Sequence, residues 1–357
     1  MPTGHAQPSH ANADADVIAR HFDGAQRVVV LTHAKPDGDA VGSSLALVKT
    51  LALLGKDARA WYFGPLPPWI RRLASDDEAR FFEPPFAHLR LSEEPDCDAV
   101  AITDTAAWSQ LEPAHDWVRA RAARACVIDH HVQGTADVAG LRLVDVAAAA
   151  VVQPVCDVCV RLLGLPSPAT LPTDIAEMLY LGLATDTGWF KHSNVTPGVM
   201  RLAADLLEAG ANHVKLFGII EQNDTPGRLA LVSKSLATLD MRQRGQLAMM
   251  HISLDDLRAS GAMPGETGGL TDFTQSLAGV AVSAMFVQTA GEKPGEGVTW
   301  KISMRSKSEP TAVDVSVIAA QLAGGGHVRA AGAKVKGSIE HAKAVIEEHV
   351  AKQLARA

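Results

Sequence analysis

Residues 31–44 read Leu-Thr-His-Ala-Lys-Pro-Asp-Gly-Asp-Ala-Val-Gly-Ser-Ser, and the reading of the whole chain turns on them. They follow the apolar run Val28-Val29-Val30-Leu31 and precede a helix-like segment that ends near Gly55. His33, Asp37 and Asp39 therefore stand at the carboxyl end of a strand, where open α/β sheets bind ligands. Pro36 disfavours helix at Lys35, and Gly38 permits an unusual backbone angle, so the segment is expected to loop tightly and aim three side chains at one point. Two carboxylates so close repel each other unless a cation joins them. An Asp-Gly pair is also an ordinary turn, so the metal reading needs support from elsewhere in the chain.

That support comes from three further strand or helix ends. Asp98-Ala-Val-Ala-Ile-Thr-Asp104 is a buried-type strand finishing on an acid, and Ala125-Cys-Val-Ile-Asp-His-His131 finishes on three titratable residues. Such a triplet is costly to bury without partners. Adjacent strand residues point opposite ways, so one histidine is expected on metal while the other faces substrate. Asp186, within Ala184-Thr-Asp-Thr-Gly-Trp189, adds a fourth isolated acid at an element boundary. His33, Asp37, Asp39, Asp104, His130 and Asp186 together make an oxygen and nitrogen set without cysteine. It suits Mn²⁺, with Mg²⁺, Co²⁺ or Fe²⁺ as candidates, and not a structural zinc.

Around these points the pattern alternates between strand and helix: a helix to about Phe22, strands at 27–32 and 57–63, a helix at 40–54, and an alanine-rich helix after Val146. This predicts a doubly wound parallel sheet. Residues 64–95, rich in proline and charge, are expected to be irregular or helical surface. Helices are expected over 172–186 and from about 197 to 210. Beyond a connection at 217–228 the pattern changes to strands near 246–252, 279–289 and 297–304 and helices near 314–322 and 338–355. The expected organisation is a disordered tail at 1–12, a catalytic domain at 13–216, the linker 217–228, and a smaller α/β domain at 229–357.

Composition bounds the function. With 357 residues the chain exceeds the ~250 to 300 that one core usually supports, and 47% hydrophobic with 20% charged residues is ordinary for a globular protein. A net charge of −7 and a pI near 6.0 provide no general basic field for gripping a long nucleic acid strand. No apolar run of transmembrane length and no signal-like core is present, so a cytoplasmic, membrane-free protein is expected. Cys156-Asp-Val-Cys159 reads as helix packing, there being no second pair to complete a zinc or redox motif.

The motifs His33-x-x-x-Asp37-x-Asp39-Ala-x-Gly-Ser43, the lone Asp104, Asp129-His130-His131 and Asp186-Thr-Gly188 resemble the four motifs of the DHH phosphoesterase superfamily. Gly324-Gly-Gly-His327-x-x-Ala-Ala-Gly332 resembles the signature of its DHHA1 substrate-binding domain. The two-domain layout is similar to the nanoRNase/pAp phosphatase members. One segment, Ala147-Ala-Ala-Ala-Val-Val-Gln153, departs from the more hydroxyl-rich and acidic stretch of the family. The resemblance implies two divalent ions, one held by His33, Asp37 and Asp104 and the other by Asp39, Asp104, His130 and Asp186. It makes Asp129 an orienting group and His131 the residue facing the scissile phosphate.

Ions ~3.5 to 4 Å apart would activate water and neutralise phosphoryl charge. Arg305, Ser306, Gly324, Gly325, Gly326, His327 and Arg329 are the expected substrate-binding set, the glycines admitting backbone N–H groups to an anion and Arg305 offering a fork for phosphate. The expected substrates are short oligoribonucleotides or pAp. Linear or cyclic dinucleotide cleavage, pyrophosphatase or exopolyphosphatase activity, and a non-catalytic nucleotide-binding regulator stand as alternatives. A homodimer is left open.

Overall fold

The computed structural model describes residues 7–8, 11–86, 89–262, 265–289, 297–307, 309 and 312–355. The chain divides into two compact units between Asn223 and Asp224.

The first unit is built on a six-stranded sheet. Its strands are β1 (Arg27–Leu31), β2 (Asp57–Phe63), β3 (Ala79–Phe82), β4 (Ala99–Thr103), β5 (Ala125–Asp129) and β6 (Leu141–Val144). Every neighbouring pair is parallel, in the order β3-β2-β1-β4-β5-β6. The chain winds outward from β1 through β2 to β3, then returns to β4 and winds the other way. The reversal lies between β1 and β4, and in doubly wound sheets the ligand crevice opens there, outside the carboxyl ends of the strands.

The longer helices of the unit are α1 (Ala15–His21), α2 (Gly38–Leu53), α3 (Val152–Leu162), α4 (Thr173–Asp186), α5 (Pro197–Glu208) and α6 (His213–Glu221), beside short helical turns at Ile70–Leu73 and His115–Arg119. Val28, Val30, Ala60 and Ile128 point from the sheet into a core shared with helix residues such as Val41, Leu45 and Leu179. Val29, Leu31, Trp61, Ile102 and Val127 point the other way, onto Trp117, Val118 and Leu91. Strands covered on both faces read as continuous apolar runs, which is why they stood out in the sequence.

Helix α2 is buried on almost every side. It lies against α4 at two glycines: a Cβ at Gly42 would stand 2.4 Å from the Met178 carbonyl oxygen, and one at Gly182 would stand 2.6 Å from Asp39 Oδ1.

Several expectations need correction. Residues 64–95 are not all irregular or helical surface, because Ala79–Phe82 forms the edge strand β3, paired with Ala60–Phe63. Phe82 stacks on Phe63 with ring centroids 4.8 Å apart, a tertiary contact that four residues among prolines do not announce. The alanines after Val146 form turns, and α3 begins only at Val152. The boundary between Asn223 and Asp224 falls inside the expected connection 217–228, which takes in the end of α6, a short loop and the start of α7 (Pro226–Ala237). Of the expected tail, residues 1–6 and 9–10 lie outside the described residues. Gln7 and Pro8 pair with Gln133 and Gly134, and Asn12 exchanges hydrogen bonds with the backbone of Arg142.

The second unit has its own six-stranded sheet of β7 (Asp240–Arg242), β8 (Leu247–Ile252), β9 (Val282–Thr289), β10 (Thr299–Ser306), β11 (Gly325–His327) and β12 (Ala330–Lys336), ordered β11-β12-β10-β9-β8-β7. Only β8 and β9 run parallel. Helices α10 (Val315–Gln321) and α11 (Ile339–Leu354) cover one face. Helices α7, α8 (Leu254–Ser260) and α9 (Leu270–Gln275) lie over the other. Among the described residues no helix is long and apolar enough to cross a membrane.

Candidate metal centre

The six expected ligands converge on the reversal point of the first sheet. His33 and Asp37 sit in the loop leaving β1, Asp39 in the first turn of α2, Asp104 after β4, His130 after β5, and Asp186 at the last residue of α4. Asp37 is also the N-cap of α2: its Oδ1 accepts the N–H groups of Asp39 and Ala40, both at 3.1 Å. The turn reading and the ligand reading thus describe one residue. The other oxygen remains available, and the side chain is more than half exposed.

Asp104 lies at the middle. It adopts φ +66°, a left-handed angle that non-glycine residues seldom take. One of its oxygens faces each of two histidines: Oδ2 is 3.5 Å from His33 Nε2, and Oδ1 is 3.4 Å from His130 Nε2. These separations are long for a hydrogen bond, and among the described residues the buried Oδ1 has no hydrogen-bond partner. His33 Nε2 is also 3.8 Å from Asp37, while His130 Nε2 is 3.6 Å from Asp186 Oδ2 and 4.0 Å from Asp39 Oδ2.

Two three-residue groups emerge, His33-Asp37-Asp104 and Asp39-His130-Asp186, each with ligand atoms within 4.8 Å of one another. A third group, Asp104-His130-His131, satisfies the same distance. The histidines of the first two groups are oriented alike. Nδ1 of His33 lies 3.1 Å from the Ala34 carbonyl and Nδ1 of His130 3.2 Å from the Ala148 carbonyl. A carbonyl partner fixes the proton on Nδ1 and leaves Nε2 as a lone-pair donor, the usual arrangement behind a metal-bound imidazole.

His131 is held by a carboxylate instead of a carbonyl. Its Nδ1 lies 2.8 Å from Asp129 Oδ1, which also accepts the N–H groups of His130 and His131. Asp129 is fully buried, whereas the His131 ring is nearly half exposed.

Asp39 owes its place to tertiary structure. It is fully buried, and its Oδ2 accepts the Val151 N–H at 2.6 Å while Oδ1 accepts that of Val152 at 3.2 Å. The start of α3 thus delivers partial positive charge to this carboxylate.

Charge crowding shows in the titration of the cluster without metal. Burial opposes the charged form of His33, but the carboxylates of Asp104 and Asp37 outweigh it and push its pKa up to about 10. At His130 burial is likewise overcome, mainly by Asp104 and Asp39, and the value rises to about 9. Burial and then the charges of Asp37 and Asp104 push Asp186 up to about 7. Burial and the charges of Asp104 and Asp186 also drive Asp39 upward. Asp104 goes the other way: burial would raise it, but the facing His130 and His33 hold it below the ordinary carboxylate value. Such a cluster stores protons that a divalent cation would replace. The donor set and the unpartnered Asp104 oxygen fit one.

The second unit brings part of the expected substrate set together. Arg305 and His327 both pair with Ala330 across adjacent strands, so the three share one row on one sheet face, and both polar side chains belong to exposed residues. Gly324-Gly325-Gly326 leads into and begins an edge strand instead of forming a free loop. Gly324 and Gly326 lie so close to β12 that a Cβ would stand 2.1 Å from the Gly332 oxygen and 2.5 Å from the Ala330 oxygen, respectively. Gly325 faces open space. Ser306 is buried with its hydroxyl donating to the Val328 carbonyl, and Arg329 Nη1 donates to the carbonyls of Lys307 and Val313. These two side chains brace the β11–β12 turn. Cys156 and Cys159 are buried in α3, where burial raises both thiols.

Sequence reasoning missed the residues that hold the ligands in place. Gly182 makes room for Asp39, and the signal was a glycine inside a helical pattern. Asn194, whose Nδ2 donates to the carbonyls of Asp186 and Ala149, gave none.

Residues 27–183 match the model of the DHH family N-terminal domain, and residues 247–352 match the DHHA1 domain. The chain belongs to the DHH family of phosphoesterases. Over 336 residues it is 34% identical to the bifunctional oligoribonuclease and PAP phosphatase NrnA of Thermus thermophilus, covering 92% of this chain and 91% of that one. Its counterpart of the same name in Bacillus subtilis is 24% identical, with 86% and 89% covered. Among solved structures, an exopolyphosphatase-related protein from Bacteroides fragilis matches with a TM-score of 0.82 at 22% identity over 95% of both chains, a likeness of fold.

Proposed function

We propose that this protein is a metal-dependent phosphoesterase that hydrolyses short oligoribonucleotides and pAp. The observation that carries the reading is Asp104, a buried carboxylate with one oxygen toward each of two carbonyl-oriented imidazoles. His33, Asp37 and Asp104 would hold one divalent ion, and Asp39, Asp104, His130 and Asp186 a second, with Mn²⁺ the ion the donors suit best. A pair of such cations supplies Lewis acidity toward a phosphoryl oxygen and makes water acidic enough to attack at neutral pH.

The chain's own groups do the rest. Asp129 orients His131 through Nδ1, and its hydrogen bond leads the causes that raise the His131 pKa. That bond favours the protonated imidazole, the form in which His131 can donate a proton to the leaving oxygen. Asp39 is fixed by two backbone N–H groups, so the second ion's ligands are positioned before it arrives. Arg305, His327 and the backbone of Gly324–Gly326 are the groups offered to the nucleotide away from the reacting phosphate. Ser306 and Arg329 support them from behind.

Mn²⁺-supplemented protein incubated separately with pAp, a labelled RNA dinucleotide, a long single-stranded RNA, cyclic di-AMP and pyrophosphate tests the proposal. Turnover of the first two, lost in Asp104→Ala, is expected. Full activity after metal removal, or preference for pyrophosphate, would overturn it.

A further inference from the structure

Helix α4 ends at Asp186, and the chain leaves it through an unusual turn. Gly188, Trp189 and Phe190 have φ of +56°, +56° and +64° in succession. With Thr187 as the C-cap, one left-handed residue suffices to close the helix, and Gly188 provides it without strain. Trp189 donates its N–H to the Ala184 carbonyl as part of that cap, but the left-handed angles of Trp189 and Phe190 are not required by it. Each accepts a conformation that side chains with a Cβ resist, and such strain persists only where surrounding contacts over-determine it.

Those contacts are specific. Trp189 Nε1 donates to Glu221 Oε1 at 2.8 Å, and its ring meets Phe217 edge-on at 4.9 Å between centroids. Phe190 meets Tyr180 edge-on at 5.9 Å, and its N–H donates to the hydroxyl of the buried Thr187 at 3.2 Å. The N–H groups of Lys191 and His192 both donate to the Thr187 carbonyl at 3.0 Å. The His192 ring occupies the space where a Gly188 Cβ would be, 2.3 Å from its Nε2. Asn194 then ties back to the Asp186 carbonyl at 3.2 Å. The backbone that carries the Asp186 carboxylate is thus pinned from both sides, with α6 supplying Phe217 and Glu221.

We propose that Trp189 is a positioning residue for Asp186. By docking on Phe217 and Glu221 it holds the left-handed turn shut and keeps Asp186 within reach of His130, so that it sets the affinity of the cation shared by Asp39, His130 and Asp186. This rests on Asp186 being a ligand. Relaxing the turn should let the end of α4 fray and withdraw one ligand of that group, while His33, Asp37 and Asp104 remain as they are.

The test is Mn²⁺ binding to the full chain, followed by calorimetry and by the paramagnetic signal of free Mn²⁺. Trp189→Ala should weaken one of two binding events by about tenfold and leave the other unchanged, as loss of a ligand's supporting partner typically does. The Mn²⁺ concentration for half-maximal activity should rise to match, and kcat should recover at saturating metal. Glu221→Ala should give a smaller shift in the same direction, and Glu221→Gln, which keeps the acceptor oxygen, should restore wild-type binding. Should Trp189→Ala fail to fold, the Glu221 pair decides. Unchanged Mn²⁺ affinity in Trp189→Ala and Glu221→Ala, with only a lower Tm, would overturn the proposal. Asp186→Asn separates the two ways of failing: if it too binds both ions normally, the assignment of Asp186 as a ligand fails, whereas if it alone loses an ion, only the role of Trp189 does.

Discussion

Gly182→Ala adds a single methyl group inside the first unit, at a residue that is itself no ligand, yet the structure makes it a metal-site variant. The new Cβ would stand 2.4 Å from Val152 Cγ1, 2.6 Å from Asp39 Oδ1 and 3.1 Å from Asp39 Cα. Real contacts of this kind are about 1 Å longer, so a neighbour must yield. Val152 is fully buried and its N–H is bonded to the same carboxylate, which leaves Asp39 and its hydrogen bonds to Val151 and Val152 to absorb the displacement.

Overpacking costs roughly 1–3 kcal/mol, and the better helix propensity of alanine returns about 1 kcal/mol. The net loss of stability should therefore be small, roughly 0–2 kcal/mol. Metal affinity should fall by roughly 10- to 100-fold at the ion that Asp39 serves. Melting in the presence of a chelator reads the first quantity and Mn²⁺ calorimetry the second, with Gly24→Ala, where a Cβ meets nothing within 4 Å, as the control. A Gly182→Ala protein that binds both ions within twofold of wild type would refute the claim that Asp39 is a ligand held in place by this contact.

Three further outcomes are expected. His131→Ala should retain its metal content by elemental analysis yet lose turnover by roughly 10²- to 10⁴-fold; loss of an ion instead would make His131 a ligand, as its grouping with Asp104 and His130 allows. Metal-free protein should become less stable as pH rises. The folded state holds more protons than the unfolded chain from the ordinary carboxylate value up to about 7 at Asp186, and from the ordinary imidazole value up to about 9 and 10 at His130 and His33. Both windows give a falling slope. The histidine contribution is fully present below pH ~6.5 and is lost through pH 9 to 10. Thermal melts in chelator between pH 5 and 9 check this, and a Tm rising with pH would contradict it. Finally, Arg305→Ala and His327→Ala should lose roughly ten- to a hundredfold in kcat/KM on dinucleotides and pAp, but much less on bis-p-nitrophenyl phosphate. Equal losses on both would mean that the second unit supports the reaction in some other way.

The sequence by itself was enough for the doubly wound sheet and all six ligand candidates. Strands buried on both faces leave unbroken apolar runs, and a polar titratable residue placed where each run stops is visible without any coordinates. Turn chemistry is equally local, so Asp37 could be read at once as turn and candidate ligand, while its role as the cap of α2 came from the structure.

Tertiary structure decided what depends on contact between distant segments. The edge strand Ala79–Phe82 exists because Phe82 stacks on Phe63. The glycines at 324 and 326 are required by the backbone of β12, a fact that a glycine triplet read as a loop cannot supply. Asp39 is positioned by the N–H groups of Val151 and Val152 and by the missing side chain of Gly182. Two adjacent histidines, identical as letters, part company because Nδ1 of His130 meets the Ala148 carbonyl while that of His131 meets Asp129. A side chain's chemistry is written in its own residue, but its orientation and pKa are set by whichever buried partners the fold brings to it.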